Sequence, residues 1–306
     1  MPSIRYKLTE FLFRRMIRPT MVAAAAEPEK FMKQQLEARQ SQKLPLAKLH
    51  KQYDFEERSA EGIKYYAIRS RKKKGKKLVL YFFGGGFMMP GDKGDFDFGQ
   101  EMADQTGAEV WLVWYRLLPE ATEQELIESA VSVYRAALQE YAPKDITFFG
   151  LSSGGSLCLD LCVYIKQQEL GLPLPGRLIP FSATIQMPPT PEQTEKMKRI
   201  GTKDVMFPPE YVDAAAKMMK LRGAGELLGN SVASSWQGFP PIFTLYGSRE
   251  IYCAQLGAFR QKCEADGVQL KIYVGQGMMH TWAAAGWLPE AKAARHMIYA
   301  YIKGEK

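Results

Sequence analysis

Residues 146–157, ITFFGLSSGGSL, form the segment that decides the fold. The part Ile146–Phe149 is short, β-branched and aromatic, which predicts a buried strand, and Leu157–Ile165 predicts a helix. Between them lies a Gly-x-Ser-x-Gly pattern centred on Ser152, typical of a very tight strand-to-helix turn. Such a turn forces the serine into an uncommon backbone conformation and requires small residues two positions before and after it. We therefore expect the Ser152 hydroxyl above the sheet, at a helix N-terminus where an oxyanion is favoured.

The composition indicates a chain with a substantial core, since 46% of its 306 residues are hydrophobic. This length suits one large α/β domain with an insertion as well as it suits two domains. The four cysteines are scattered. Cys158 and Cys162 are four residues apart on the predicted helix, which favours core packing over a disulfide or a metal site. This cysteine usage predicts a reducing, cytoplasmic location.

Positive charge is concentrated in residues 69–77, RSRKKKGKK, which carry seven basic residues and no acid. The whole chain has a net charge of +8, so the remainder is nearly balanced. The run is most simply a solvated turn between two strands, and we expect no nucleic-acid partner. Contact with nucleic acid or an anionic membrane is the alternative.

No apolar run is long enough to span a membrane, and Met21–Ala26 is too short for the core of a signal peptide. We therefore expect no stable membrane anchor. Near the N-terminus, one helical face is apolar and another is basic. This pattern is typical of a membrane-surface helix or of a helix that covers a pocket, and we favour the second. The apolar face consists of Ile4, Leu8, Phe11, Leu12 and Met16.

Strands alternate with helices along the rest of the chain, which predicts a mostly parallel sheet with helices on both faces. The predicted strands are residues 53–57, 63–69, 77–83, 109–115, 146–149, 177–182, 241–246 and 268–274, of which the first two form an antiparallel edge pair. Residues 187–236 break this rhythm, with one clear helix at Pro209–Leu221, and predict an insertion over the sheet. The predicted organisation is thus a segment of helices at 1–50 and an α/β domain at 51–306.

Parallel topology brings every loop that follows a strand to the same edge of the sheet. Ser152 lies at this carboxyl edge and needs a base. Of the three histidines, His50 precedes the sheet and His296 lies inside the last helix. His280 follows the last strand, so it is the predicted base.

The base in turn needs an orienting acid, and three acids stand between the seventh strand and the base. Glu264 and Asp266 end a helix and open a strand, so they belong to the opposite edge. Glu250 follows a strand and belongs to the carboxyl edge, which makes it the predicted third member. The order Ser, Glu, His is that of α/β-hydrolases. Gly84–Gly86 also follow a strand, and their backbone N–H groups can approach an oxyanion without side-chain obstruction.

At this point the chain resembles the hormone-sensitive-lipase-like branch of the α/β-hydrolases. The segments that carry the resemblance are Phe83-Gly84-Gly85-Gly86, Tyr115-Arg116-Leu117-Leu118-Pro119-Glu120 and Gly150-Leu151-Ser152-Ser153-Gly154-Gly155, followed by Glu250 and His280. The resemblance covers about residues 50–303. It implies an α/β-hydrolase fold with a helical cap, built from the N-terminal helices and the 187–236 insertion. It also implies a carboxylic-ester hydrolase for short or medium acyl chains.

Carried over to this chain, the family's oxyanion donors are the backbone N–H groups of Gly85, Gly86 and Ser153. The family's polar His and Asp are replaced by Phe83 and Leu151, and its Ala by Ser153. We expect the backbone donors to persist, with different supporting hydrogen bonds and a lower activity on standard esters.

The predicted reaction is ester hydrolysis through an acyl-enzyme, with no metal and no organic cofactor. Phe87, Met88, Met89, Met278, Met279 and Trp282 predict an apolar pocket. A small-molecule receptor on the same fold is the alternative from another class. Plant hormone receptors of this branch lack the catalytic histidine, so His280 argues against it. Acyl transfer or amide hydrolysis would use the same residues, and the oligomeric state stays open.

Overall fold

The computed structural model describes residues 2–42, 44–72 and 75–305, which are organised around one eight-stranded sheet. The strands are β1 (Phe55–Ala60), β2 (Ile63–Ile68), β3 (Leu78–Phe82), β4 (Glu109–Val113), β5 (Ile146–Leu151), β6 (Arg177–Phe181), β7 (Ile242–Gly247) and β8 (Leu270–Gly275). Their order in the sheet is β1-β2-β4-β3-β5-β6-β7-β8. The β1–β2 and β2–β4 pairs are antiparallel and all others are parallel. The predicted mostly parallel sheet is confirmed.

Helices cover the sheet on both faces. Every residue of β3, β5 and β7 is buried, and successive side chains of a strand point to opposite faces, so neither face is open to solvent. The covering helices are α4 (Lys93–Thr106), α5 (Glu123–Glu140), α6 (Ser153–Gln167), α9 (Leu256–Ala265) and α10 (Pro289–Lys303). Among them α4 packs with α10, and α5 packs with α6. Cys158 and Cys162 are free and buried in α6, as predicted.

Five further helices belong to the N-terminal segment and to the insertion. They are α1 (Ile4–Ala26), α2 (Pro28–Ser41), α3 (Leu46–Leu49), α7 (Pro191–Gly201) and α8 (Pro209–Leu221). The helices α1, α2 and α7 all contact α8. The boundaries at residue 50 and at about 187–236 stay predictions.

The insertion holds a helix that the sequence did not predict. In α7, the Thr190 side chain accepts from Gln193 N in a capping box, and Pro191 occupies the first turn, so the start is well defined. The helix is rich in Lys and Glu, and only Gln193, Met197 and Gly201 are buried. An apolar face this sparse gives a weak periodic signal.

The apolar stripe of α1 faces away from the rest of the protein. Its apolar face is exposed: Ile4, Leu8, Phe11, Leu12 and Met16 are between 45% and 86% accessible. Other side chains of the helix hold it to the protein, because Tyr6 Oη donates to Gly277 O and the Arg18 guanidinium donates to Gly201 O. Amphipathicity identifies an apolar stripe, but these polar contacts decide which side of the helix faces inward.

The basic run joins β2 to β3. Lys73 and Lys74 lie outside the described residues. Of the others, Arg69 pairs with Glu56, and Arg71 lies 2.7 Å from Asp104. No helix in the described ranges combines the length and apolarity that a bilayer crossing requires.

Candidate active site

Ser152 occupies a strained turn between β5 and α6. Its φ is 54° and its ψ is −119°, a combination that non-glycine residues seldom adopt. Its backbone N–H donates to Phe181 O of the neighbouring strand at 2.9 Å. This anchor holds the serine at the end of β5, so its side chain projects at the carboxyl edge.

The two glycines of the turn are required by close packing. A Cβ at Gly150 would lie 2.1 Å from Gly154 O, and a Cβ at Gly154 would lie 2.1 Å from Phe82 O. Both distances are impossible for a side chain. The predicted need for small residues on either side of Ser152 is therefore confirmed by the packing of the backbone.

The structure brings the three predicted side chains into one chain of contacts. His280 Nε2 lies 2.9 Å from Ser152 Oγ, and His280 Nδ1 lies 2.6 Å from Glu250 Oε2. His280 is 4% exposed and Glu250 is fully buried. Such an arrangement lets the imidazole accept the hydroxyl proton while the carboxylate stabilises the resulting imidazolium.

The second carboxylate oxygen of Glu250, which does not face His280, also accepts hydrogen bonds. Oε1 accepts from Ser182 Oγ at 2.9 Å and from Gly247 N at 3.1 Å. Ser182 Oγ in turn accepts a 3.2 Å hydrogen bond from the backbone N–H of Thr281, the residue that follows His280. One serine thus links the acid loop to the histidine loop.

Asp204, from the insertion, is a further buried carboxylate near the site. Oδ1 accepts from the backbone N–H groups of Met206 and Phe207, and Oδ2 accepts from Ile251 N at 2.9 Å. The ring of Phe207 packs edge-on against His280, with 5.2 Å between ring centroids. Burial raises the pKa of Asp204 to about 6, although these hydrogen bonds oppose the rise. Asp204 therefore ties the insertion to the acid loop.

The residues excluded by topology lie away from Ser152. Asp266 accepts from Trp236 N and pairs with Lys262, while Glu264 is exposed near the end of α9. His50 stacks on Phe55, and His296 is exposed on α10. None of the four lines the cavity described below.

Gly85, Gly86 and Ser153 offer backbone N–H groups beside Ser152. Gly85 and Gly86 have φ values of 121° and 63°, and a Cβ at Gly85 would lie 2.5 Å from Met89 O. Within the part of the chain that the structure describes, these three amides donate to no other protein group. All three residues line the same cavity as Ser152 and His280. They are thus available to an oxyanion.

Aromatic stacking takes the place of a polar side chain at Phe83. Its ring lies parallel to that of Tyr115, with 4.3 Å between centroids. Tyr115 Oη also donates to Phe83 O at 2.8 Å. The start of the glycine loop is therefore anchored by this stack and by the Tyr115 hydrogen bond. Leu151 lines the cavity and is 7% exposed.

A cavity of about 560 Å³ opens above Ser152. Its walls are mainly apolar and come from the glycine loop, from α1 and α2, and from the insertion. Of the residues predicted to line it, Phe87, Met88, Met89 and Met279 do so. Trp282 instead packs edge-on against Phe181 in the core, with 5.0 Å between centroids, and Met278 is buried nearby.

Comparison with known proteins gives consistent similarities. Residues 79–284 match a family model described as the alpha/beta hydrolase fold. An esterase of Acinetobacter venetianus is 29% identical over 223 residues, 71% of this chain and 72% of the relative. The carboxylesterase/phospholipase LipF of Mycobacterium tuberculosis is 26% identical, over 74% of this chain and 62% of its own length.

Solved structures agree on the fold. An esterase from the bacterial hormone-sensitive lipase family superposes with a TM-score of 0.78 at 23% identity, covering 100% of this chain and 99% of that one. The esterase EstE5, soaked with p-nitrophenyl butyrate, superposes with a TM-score of 0.72 at 25% identity, covering 94% and 98%.

Proposed function

Because the chain belongs to the α/β-hydrolase family and is a carboxylic-ester hydrolase like the hormone-sensitive-lipase-like esterases, we propose that Ser152, His280 and Glu250 are its catalytic triad. The observation that carries this proposal is the chain of contacts from Ser152 Oγ through the His280 ring to Glu250. Their lengths of 2.9 Å and 2.6 Å are those of hydrogen bonds.

In the first step, His280 Nε2 takes the proton of Ser152 while Oγ attacks the ester carbonyl. The negative charge that develops on the carbonyl oxygen is stabilised by the backbone N–H groups of Gly85, Gly86 and Ser153. Donors of this kind are typically worth a hundredfold or more in rate each. His280 then protonates the leaving alcohol, which leaves an acyl group on Ser152.

In the second step, water attacks the acyl-enzyme, again with His280 as the base. Glu250 holds the Nδ1 proton on the side away from Ser152 and stabilises the imidazolium in both steps. Its burial strengthens this interaction, because few water molecules screen the charge.

The size of the cavity supports short or medium acyl chains. Its volume of about 560 Å³ is within the range of small-molecule sites, and its walls are rich in Met and Phe. Methionine side chains adapt to ligands of different shape. We propose small esters as the substrates.

The test is Ser152→Ala, assayed on a series of p-nitrophenyl esters from acetate to decanoate. The exposed Ser235→Ala is the matched control. We expect Ser152→Ala to lower kcat by several orders of magnitude, while the control retains wild-type turnover. Wild-type turnover by Ser152→Ala would contradict the proposal, and a maximum at the longest chain would contradict the proposed acyl range.

A further inference from the structure

One cation lies in the mainly apolar wall of the cavity. Arg222 is the single Lys or Arg among the described residues that line this cavity. Only 8% of its surface is exposed. Arginine is almost never buried to this extent without a partner, so we identify the groups that surround its guanidinium.

The end of α8 directs this side chain inward. Arg222 is the residue that caps the helix, and its N–H donates to Met218 O at 3.1 Å. The next residue, Gly223, adopts a φ of 81°, which turns the chain away. The guanidinium of Arg222 therefore projects from the insertion onto the glycine loop beside Ser152.

The guanidinium is only partly satisfied by the protein. Its Nη1 donates to Gly86 O at 3.1 Å and contacts Met219 Sδ at 3.9 Å. No carboxylate oxygen of the described ranges lies within 4.0 Å of it. The cavity does contain Asp92 and Asp95, but their side chains form the capping box at the start of α4.

Resting on the proposed function, we propose that Arg222 binds a carboxylate in the non-reacting part of the substrate, so that the preferred substrates are half-esters of short dicarboxylic acids. A guanidinium has five N–H donors in a fixed fork that matches a carboxylate. A carboxylate in the cavity would supply the counter-charge that the described residues do not provide, and the low local dielectric would strengthen the pairing. With one cation present, a singly charged group fits better than a doubly charged phosphate.

Arg222 lies close enough to Ser152 for one small substrate to contact both side chains. The guanidinium donates to Gly86 O. Gly84, two residues earlier in the same loop, lies beside the Ser152 side chain, since a Cβ at Gly84 would be 3.4 Å from Ser152 Cβ. Gly84 and Gly86 are separated by at most about 7 Å between Cα atoms. A substrate whose carboxylate and ester carbonyl are joined by a short carbon chain can therefore contact both Arg222 and Ser152.

The experiment compares mono-p-nitrophenyl esters of succinate, glutarate, adipate and suberate with the same compounds whose free carboxylate is capped as a methyl ester. For the best chain length, we expect wild-type kcat/KM to be about 10- to 100-fold higher for the charged member, through a lower KM. Arg222→Met should abolish this ratio, and Arg222→Lys should retain part of it. Arg199→Met, an exposed arginine of α7, is the matched control and should keep the wild-type ratio.

Using a ratio separates recognition from structural support. If Arg222 only braced the glycine loop through Gly86, Arg222→Met would lower kcat/KM by the same factor for both members of each pair, and this would overturn the inference. A wild-type enzyme that prefers the capped member at every length would also overturn it, and needs no variant. Failure to hydrolyse any ester would instead contradict the proposed function.

Discussion

Ser182 Oγ donates a 2.9 Å hydrogen bond to Glu250 Oε1, the oxygen that does not face His280. The same hydroxyl accepts from Thr281 N, so it sets the distance between the acid and the histidine loops. We classify Ser182 as a positioning residue. Ser182→Ala should lower kcat about tenfold and leave KM within about twofold, because the chemistry loses alignment while the cavity lining loses only one hydroxyl group. A KM effect without a kcat effect would contradict this assignment.

Glu250→Gln keeps the shape of the side chain but removes the charge that stabilises the imidazolium. It also allows the wrong histidine tautomer. In serine proteases the analogous change lowers kcat about ten-thousandfold. We expect a loss of about a hundredfold or more in kcat/KM on one short ester. Glu264→Gln is the matched control at an exposed position and should stay near wild type, with circular dichroism confirming that both variants fold. A crippled Glu264→Gln would refute the topological assignment.

Asp204 predicts a specific pH dependence of stability. Burial raises the pKa of its carboxyl from 3.8 to about 6, so the folded state holds the proton more tightly than the unfolded state. The contribution of Asp204 to the free energy of unfolding therefore falls as pH rises from about 4 to about 6. The fall is roughly 3 kcal/mol in total, and the contribution is constant above that range.

Asp204→Asn cannot titrate and should lack this decline. The measurement is urea unfolding of both proteins at several pH values between 4 and 7. The difference in the free energy of unfolding, wild type minus Asp204→Asn, should decrease with pH, and other titrating groups cancel in it. Parallel stability curves for the two proteins would show that Asp204 has an ordinary pKa.

Adjacent residues of α1 test which side of this helix serves the cavity. Phe13 lines the cavity, whereas Leu12 is 45% exposed. Phe13→Ala should raise KM for medium-chain esters several-fold, because an apolar wall is lost. Leu12→Ala is the control and should not change KM. The opposite ranking would show that the apolar stripe of α1, and not the side that carries Phe13, serves the cavity. A stable attachment to liposomes that disappears when residues 1–20 are deleted would argue against a covering role for α1.

The sequence was most informative where the local backbone geometry restricts which residues are allowed. The turn around Ser152 demands glycine at two fixed positions, so its pattern is legible without any long-range information. Glu250 and His280 could be predicted as well, because the order of strands and helices already determines which loops meet.

Residues that depend on the insertion were not predictable in this way. Asp204 and Arg222 reach the site from α7, α8 and their connections, whose placement no periodic pattern specifies. Ser182 ends a predicted strand, and its position at the carboxyl edge was a usable signal. The orientation of α1 could not be predicted, because an amphipathic stripe does not indicate whether solvent or protein covers it.

Covalent labelling of Ser152 tests the central claim most directly. The intact protein is incubated with a fluorophosphonate, residual hydrolysis of p-nitrophenyl butyrate is followed, and the modified peptide is mapped by mass spectrometry. We expect one label per chain, located on Ser152, with hydrolysis lost in proportion to labelling and no label on Ser152→Ala. Full activity after labelling, or a label on another serine that accompanies the loss of activity, would contradict it.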